Sequence, residues 1–278
     1  MKLYTINTGF FKLDGGAMFG VVPKTMWQKL NPPDENNMCT WAMRCLLVEI
    51  QDRLILIDTG MGNKQDDKFR SHFHPHGEDS LEKSIRSKGF ELGDVTDVIL
   101  THLHFDHCGG AVSKNDNGIL APTFPNATYW SSYEHWKWAI HPNPREKASF
   151  LKENFMTLQE SGQLKFIEQE EFGLSDIETE FVYGHTESMI IVHVYKRKKT
   201  LSYVADLIPS RHHIRMPYVM AYDVRPLETM KEKAILLEKA YENDHILFFE
   251  HDKDVECCTL DRNDNGIHLA ETFSLEDW

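Results

Sequence analysis

Ten residues, Thr101 to Gly110 (Thr-His-Leu-His-Phe-Asp-His-Cys-Gly-Gly), constrain this chain more than any other stretch, because they hold three imidazoles and a carboxylate. The apolar residues Val95, Val98, Ile99 and Leu100 precede them and a glycine pair ends them, which predicts a strand, a ligand loop and then a helix start. His102 and His104 are two apart, so on extended backbone their side chains share one side and can converge on one ion. Asp106 and His107 lie just past the bend, where they can address a second. Zinc favours this mixture of imidazole and carboxylate, and two metals about 3.5–4 Å apart can clamp a hydroxide. The alternative is a polar loop with surface histidines, which does not call for a strand directly in front.

Composition narrows the remaining classes. A chain of 278 residues with 41% hydrophobic content can bury a sizeable core, so disorder is not expected. The 43 acidic residues against 30 basic ones give a net charge of −13, which repels phosphate backbones and argues against nucleic acid as partner. Residues Met1 to Gly9 lack the apolar segment of a secretory signal, and no apolar run approaches the ~20 residues of a membrane helix. A soluble cytoplasmic protein with no membrane partner is therefore expected. Cys39, Cys45, Cys108, Cys257 and Cys258 are odd in number without CxxC spacing, which predicts free thiols.

In chain order, residues 3–12 alternate as a strand does, and Asp14 to Gly20 then reads as a glycine-rich loop carrying Met18 and Phe19. Those two side chains either wall an apolar substrate pocket or tuck into the core. Residues 41–58 predict two buried strands joined at Gln51-Asp52-Arg53 and ending in Asp58-Thr-Gly-Met-Gly, which places Asp58 to orient a ligand histidine. Residues 63–79 are polar, and His72, His74 and His76 there lack a strand scaffold, so a solvated loop is expected. Helices are expected over 81–88, 132–140, 145–160 and 226–243. Trp130, Tyr133, Trp136, Trp138 and Phe150 form an aromatic region best explained by core packing.

Further strands are expected at 164–167, 177–183, 190–195, 200–204 and 246–249, and three of them end in ligand-type residues: His185, Asp206 and His251. A lone histidine at a strand end is usually structural. A series of strand ends that each deliver a ligand is how a layered α/β fold builds a site along one sheet edge.

With His-x-His-x-Asp-His, the preceding Leu-Ile-Asp-Thr-Gly and the later Gly-His-Thr, Ala-Asp and Glu-His, the chain resembles the metallo-β-lactamase superfamily over nearly its whole length. The resemblance implies a four-layer αβ/βα sandwich. It also implies one domain over 1–278, made of two pseudo-repeated halves whose sheets pack face to face. It further implies two zinc ions, with manganese, iron or cobalt as alternatives. One ion would be held by His102, His104 and His185, the other by Asp106, His107 and His251, with Asp206 bridging. Iron redox members carry glutamate where His104 stands, so histidine favours hydrolysis.

The wording of the motif and the Gly-Gly-Ala-Met-Phe-Gly loop look most like acyl-homoserine lactone lactonases of the quorum-quenching kind and relatives acting on esters and organophosphates. That resemblance implies a small-molecule substrate, attack by a hydroxide held between the metals, Asp106 as proton carrier to the leaving group, and an open question of a homodimer. Many such lactonases carry a tyrosine three residues after the bridging aspartate, where this chain has Pro209. Tyr222, His212 or His213 would then have to contact the substrate carbonyl. Organophosphate, thioester, β-lactam and isothiocyanate hydrolysis are the competing chemistries, and a silent binding protein on the same fold is the remaining alternative. The acidic stretch 261–278 weighs against a glutathione thioester, which calls for a basic patch. A scaffold would show gaps in the ligand set, and there are none.

Overall fold

The computed structural model describes residues 1–168 and 172–278. Its strands are β1 (Lys2–Asp14), β2 (Met38–Ile50), β3 (Arg53–Ile57), β4 (Asp97–Ile99), β5 (Val112–Lys114), β6 (Leu120–Pro122), β7 (Thr128–Ser132) and β8 (Leu164–Ile167), followed by β9 (Ile177–Val182), β10 (Met189–Lys196), β11 (Lys199–Tyr203), β12 (Ile246–Phe248), β13 (Cys257–Asn263) and β14 (Gly266–Phe273). The fold is mixed α/β, as expected. The chain divides into two compact units, the first formed by 1–9 and 43–169 and the second by 10–42 and 170–278.

In the first unit the sheet runs β1-β2-β3-β4-β7-β8. β3, β4, β7 and β8 are parallel neighbours, and β3 and β4 are almost wholly buried. Parallel strands are covered on both faces, which is why they read as unbroken apolar runs. At the N-terminal ends of β3 and β4, the buried carboxylate of Asp97 accepts from Arg53 Nε at 2.8 Å and from Trp130 Nε1 at 2.8 Å, tying the strands in register. These bonds hold Asp97 below the usual carboxylate range against the opposing effect of burial. Leu47, Leu56, Val98, Leu100, Tyr129, Trp136 and Phe155 make up much of the core.

The second unit carries a sheet of order β14-β13-β12-β11-β10-β9. β11 and β12 are parallel, and the other neighbours are antiparallel. The helix Pro226–Glu242, with proline in its first turn, connects β11 to β12. All five cysteines are buried free thiols. Among the described residues no helix is long and apolar enough to cross a membrane.

Three local expectations are corrected. The expected loop at 14–20 is a short helix, Gly15–Phe19, because Asp14 Oδ1 accepts from Ala17 N at 2.8 Å and caps it. The helix expected over 145–160 is confined to Met156–Glu160, after a 3₁₀ turn at Lys152–Asn154. Asn143 Oδ1 accepts from the backbone N–H of Arg145 and Glu146, and Lys147 N donates to the Asn143 carbonyl at 3.0 Å, so a turn is capped at Asn143 but does not run on into a helix. Within the polar stretch 63–79, Asp66 caps a helix, Asp67–Phe73. Phe69 and Phe73 of that helix pack on Phe105 at ring distances of 5.1 and 4.4 Å, while His72, His74 and His76 are exposed.

Candidate metal centre

Four strands deliver the ligand-type residues in one manner. His102, His185, Asp206 and His251 are each the third residue after the end of β4, β9, β11 and β12. Side chains just beyond a strand end are carried by backbone that the sheet has already fixed.

Within the first unit, His102, His104, Asp106 and His107 are all buried. The His102 ring lies 4.6 Å from that of His104 and 3.9 Å from that of His107. Asp58, the first residue after β3, organises this group. Its Oδ1 accepts from Thr101 N at 2.8 Å, and its Oδ2 accepts from Thr101 Oγ at 2.7 Å and from His107 Nδ1 at 3.2 Å. Because the Thr101 hydroxyl gives its proton to Asp58, it accepts from His102 Nδ1, 3.1 Å away. Both imidazoles therefore commit Nδ1–H and present the Nε2 lone pair. His104 differs, since its Nε2 lies 3.5 Å from Glu146 Oε1.

The backbone of this loop is braced on several sides. Leu103 N donates to the buried His135 Nε2 at 2.8 Å, and Thr59 N and Oγ donate to the carbonyl of His107. The glycine pair follows from close approach, because a Cβ on Gly109 or Gly110 would collide with the carbonyl oxygen of Met61 or Thr59. Asp58 itself has φ +59°, a conformation that costs a non-glycine residue on the order of 1–3 kcal/mol and gathers at functional sites.

Within the second unit, Asp206 stands between two histidines. Its Oδ2 lies 3.1 Å from His185 Nε2 and its Oδ1 lies 3.1 Å from His251 Nε2. The far nitrogens are occupied, His185 Nδ1 by Asp223 Oδ1 at 2.7 Å and His251 Nδ1 by the Ala42 carbonyl at 2.7 Å. Ala205, directly before Asp206, also has positive φ, +42°.

These sets fit a divalent cation. An imidazole that donates from Nδ1 turns a lone pair on Nε2 toward Asp206, and lone pair against carboxylate is repulsive unless a positive charge lies between. Burial works against a proton on His185, yet Asp206 and Asp223 raise it to about 10. The pocket is thus built for positive charge, with imidazole and carboxylate as the donors zinc takes.

Of the two roles open to Met18 and Phe19, burial is the one observed: they are 1% and 0% exposed. Phe19 is stacked between Trp27 at 5.4 Å and His213 at 5.1 Å, so its faces are core contacts rather than walls of an open pocket. His213 is also occupied, by Ser210 Oγ on one nitrogen and the Met18 carbonyl on the other, and burial pushes it down to about 3. Pro209 is part of the scaffold, its carbonyl accepting from His251 N at 3.1 Å. Tyr222 is 37% exposed. Sequence reasoning missed His135, Glu146 and Asp223, none of which stands in a motif, and gave no role to Thr101, which opens the ligand-rich stretch. Asp223 and Glu146 touch their histidines across 38 and 42 positions of chain, so no local spacing could have signalled them.

Two sheets of this topology with donors at the ends of their strands define a class, and residues 44–251 match the family model described as the Metallo-beta-lactamase superfamily. The chain belongs to that superfamily. An N-acyl homoserine lactonase from Bacillus sp is 27% identical over 152 residues, covering 51% of this chain and 56% of the relative. A probable metallo-hydrolase from Mycobacterium tuberculosis is 28% identical over 151 residues, covering 49% and 46%. The chain spans about half the length of these relatives. The crystal structure of a probable metal-dependent hydrolase from Staphylococcus aureus is similar over 98% of both chains, with 26% identity and a TM-score of 0.87. AidC, a dizinc quorum-quenching lactonase in complex with a product, is similar over 98% of this chain and 95% of its own, with 21% identity and a TM-score of 0.80, a likeness that speaks for the fold alone.

Proposed function

We propose that this chain is a dinuclear metal-dependent hydrolase of small molecules, and that its substrates are lactones or esters. The observation that carries the reading is Asp206, a carboxylate set between two imidazoles whose far nitrogens are already committed. In this reading His102, His104 and His185 hold one ion, Asp106, His107 and His251 hold the other, and Asp206 serves both. The donors suit zinc, with manganese, iron or cobalt as alternatives. Bound at such a centre, two divalent ions supply a hydroxide nucleophile at neutral pH and Lewis-acid polarisation of the scissile carbonyl.

The protein's own residues do the rest. Asp58 keeps His107 directly, and His102 through Thr101, in the tautomer that ligates. Asp106 would take up the proton of the attacking hydroxide and pass it to the departing alkoxide, a role suited to a carboxylate. Tyr222 contacts the substrate carbonyl in place of the tyrosine that Pro209 replaces. Its partial exposure supports this, as does its neighbour Asp223, which touches His185. His213 is not suited to that role, with both ring nitrogens engaged.

Acyl-homoserine lactones are the substrates to try first, since the Bacillus relative is named for them. Elemental analysis of protein purified without added metal, followed by assay of the zinc-loaded form, tests both levels. The panel comprises lactones of varied acyl length, aryl esters, a phosphotriester, a thioester, a β-lactam and an isothiocyanate. About two metal ions per chain and turnover of a lactone or ester, abolished by chelator, are expected. Full activity in chelator would reject the metal reading, and turnover confined to another substrate would reject the lactone assignment alone.

A further inference from the structure

Asp223 carries chemistry that no motif announces. Its carboxylate is 2% exposed and faces His185, with Oδ1 2.7 Å from Nδ1. Two runs of chain, 183–185 and 223–225, are laced together around this contact. Val224 N donates to the His185 carbonyl at 3.1 Å and Arg225 N to the Gly184 carbonyl at 2.9 Å. Arg225 Nη1 reaches the Tyr183 carbonyl at 2.7 Å. From the helix Pro226–Glu242, Glu232 accepts from Tyr183 N at 2.6 Å and from Gly184 N at 2.9 Å. Gly184 lies so close to Thr229 that any Cβ would collide with it. Backbone bonds alone would place His185 in this loop, but they do not set the rotation of its ring or the nitrogen that holds the proton. On the Nδ1 side of the ring the Asp223 contact does that.

The loop that delivers Asp223 is anchored as well. Lys233 Nζ, fully buried, donates to the carbonyls of His213, Arg215 and Tyr218 at 3.1, 3.1 and 2.9 Å. Ala221 N donates to the Ala17 carbonyl at 2.7 Å. A short, buried carboxylate–imidazole bond between two fixed segments is the arrangement that orients a metal-ligating histidine and raises its basicity.

We propose that Asp223 is the positioning residue for His185, holding its proton on Nδ1 so that Nε2 is delivered to the metal ion. This rests on the metal reading above. A purely structural His–Asp pair would support the apo fold and leave metal affinity untouched.

The test compares wild type, Asp223→Ala, Asp223→Asn and, as control, Glu187→Gln, which removes the charge from the neighbouring Arg225–Glu187 ion pair. Zinc dissociation constants come from chelator competition, apo stability from thermal melts, and the His185 tautomer from ring ¹⁵N shifts. Asp223→Ala is expected to weaken zinc binding about 10–100-fold and to lose the Nδ1–H signature, while Glu187→Gln stays at the wild-type value. Asp223→Asn keeps an acceptor for Nδ1–H and should fall between them. A folded Asp223→Ala protein that binds zinc as tightly as wild type overturns the proposal. If that variant does not fold, wild-type zinc affinity in Asp223→Asn overturns it instead. A wild-type protein that takes up no zinc overturns both this proposal and the metal reading, whereas zinc-binding wild type with unaffected variants overturns only the role of Asp223.

Discussion

His245, just before β12, is 5% exposed and makes a pH-dependent contribution to stability that can be isolated by substitution. Its Nδ1 lies 3.1 Å from Ser202 Oγ, and the same hydroxyl lies 2.8 Å from His193 Nδ1. One hydroxyl has one proton to give, so one ring donates to it and the other accepts. Glu180, Glu178, Lys239 and Tyr195 complete the charged and titratable surroundings. Burial, with help from His193 and Lys239, lowers His245 to about 4 from its ordinary value near 6.5. Between those values the unfolded chain binds more protons, so stability is full above about pH 6.5 and is lost as pH falls toward 4. Integrating the two titrations from pH 8 to pH 5 gives a loss of about 2 kcal/mol. His245→Asn places an amide where Nδ1 stood, keeps a partner for Ser202 and removes the titration. Urea unfolding of both proteins at pH 8 and pH 5, in chelator, should show wild type losing about 2 kcal/mol more than the variant. Acid-sensitive groups remote from this pair, His213 among them, are common to both proteins and cancel. Equal losses would refute the assignment.

Three further outcomes are expected. Asp206→Asn should lower the content of both metal ions by elemental analysis, because both imidazole partners face this one carboxylate; unchanged content would reject its shared role. In Asp58→Asn, Thr101 N–H claims the amide oxygen and turns the NH₂ toward His107 Nδ1, forcing the proton onto Nε2. Zinc affinity by chelator competition should then fall about 10–100-fold, or about 1.4–2.7 kcal/mol, with the wild-type value contradicting the tautomer argument. Gly184→Ala should destabilise the protein by about 1–3 kcal/mol in urea, since Thr229 lies on a helix that must shift; a neutral result would mean the helix yields freely.

Much of the architecture was legible in the chain because its signals are local. The apolar runs before His102, His185, Asp206 and His251 show where strands end, and a ligand-type residue three positions past each end needs no knowledge of partners. Asp58 was readable for the same reason, as a carboxylate at the foot of a strand. The stretch 145–160 reads as one helix because helical spacing and a capping residue at Asn143 are both present, yet only Met156–Glu160 is α-helical, and no local signal announces the break.

The sequence by itself thus determined the donor types and their delivery at strand ends, since both depend on period-two backbone and on residue chemistry. Only the tertiary structure decided which nitrogen His107, His185 and His251 present, because that choice belongs to partners remote in the chain: Asp58 for His107, Asp223 for His185 and the Ala42 carbonyl for His251. It likewise turned Phe19 inward, where Trp27 and His213 close over its two faces, for stacking is a property of packed neighbours and leaves no periodic trace.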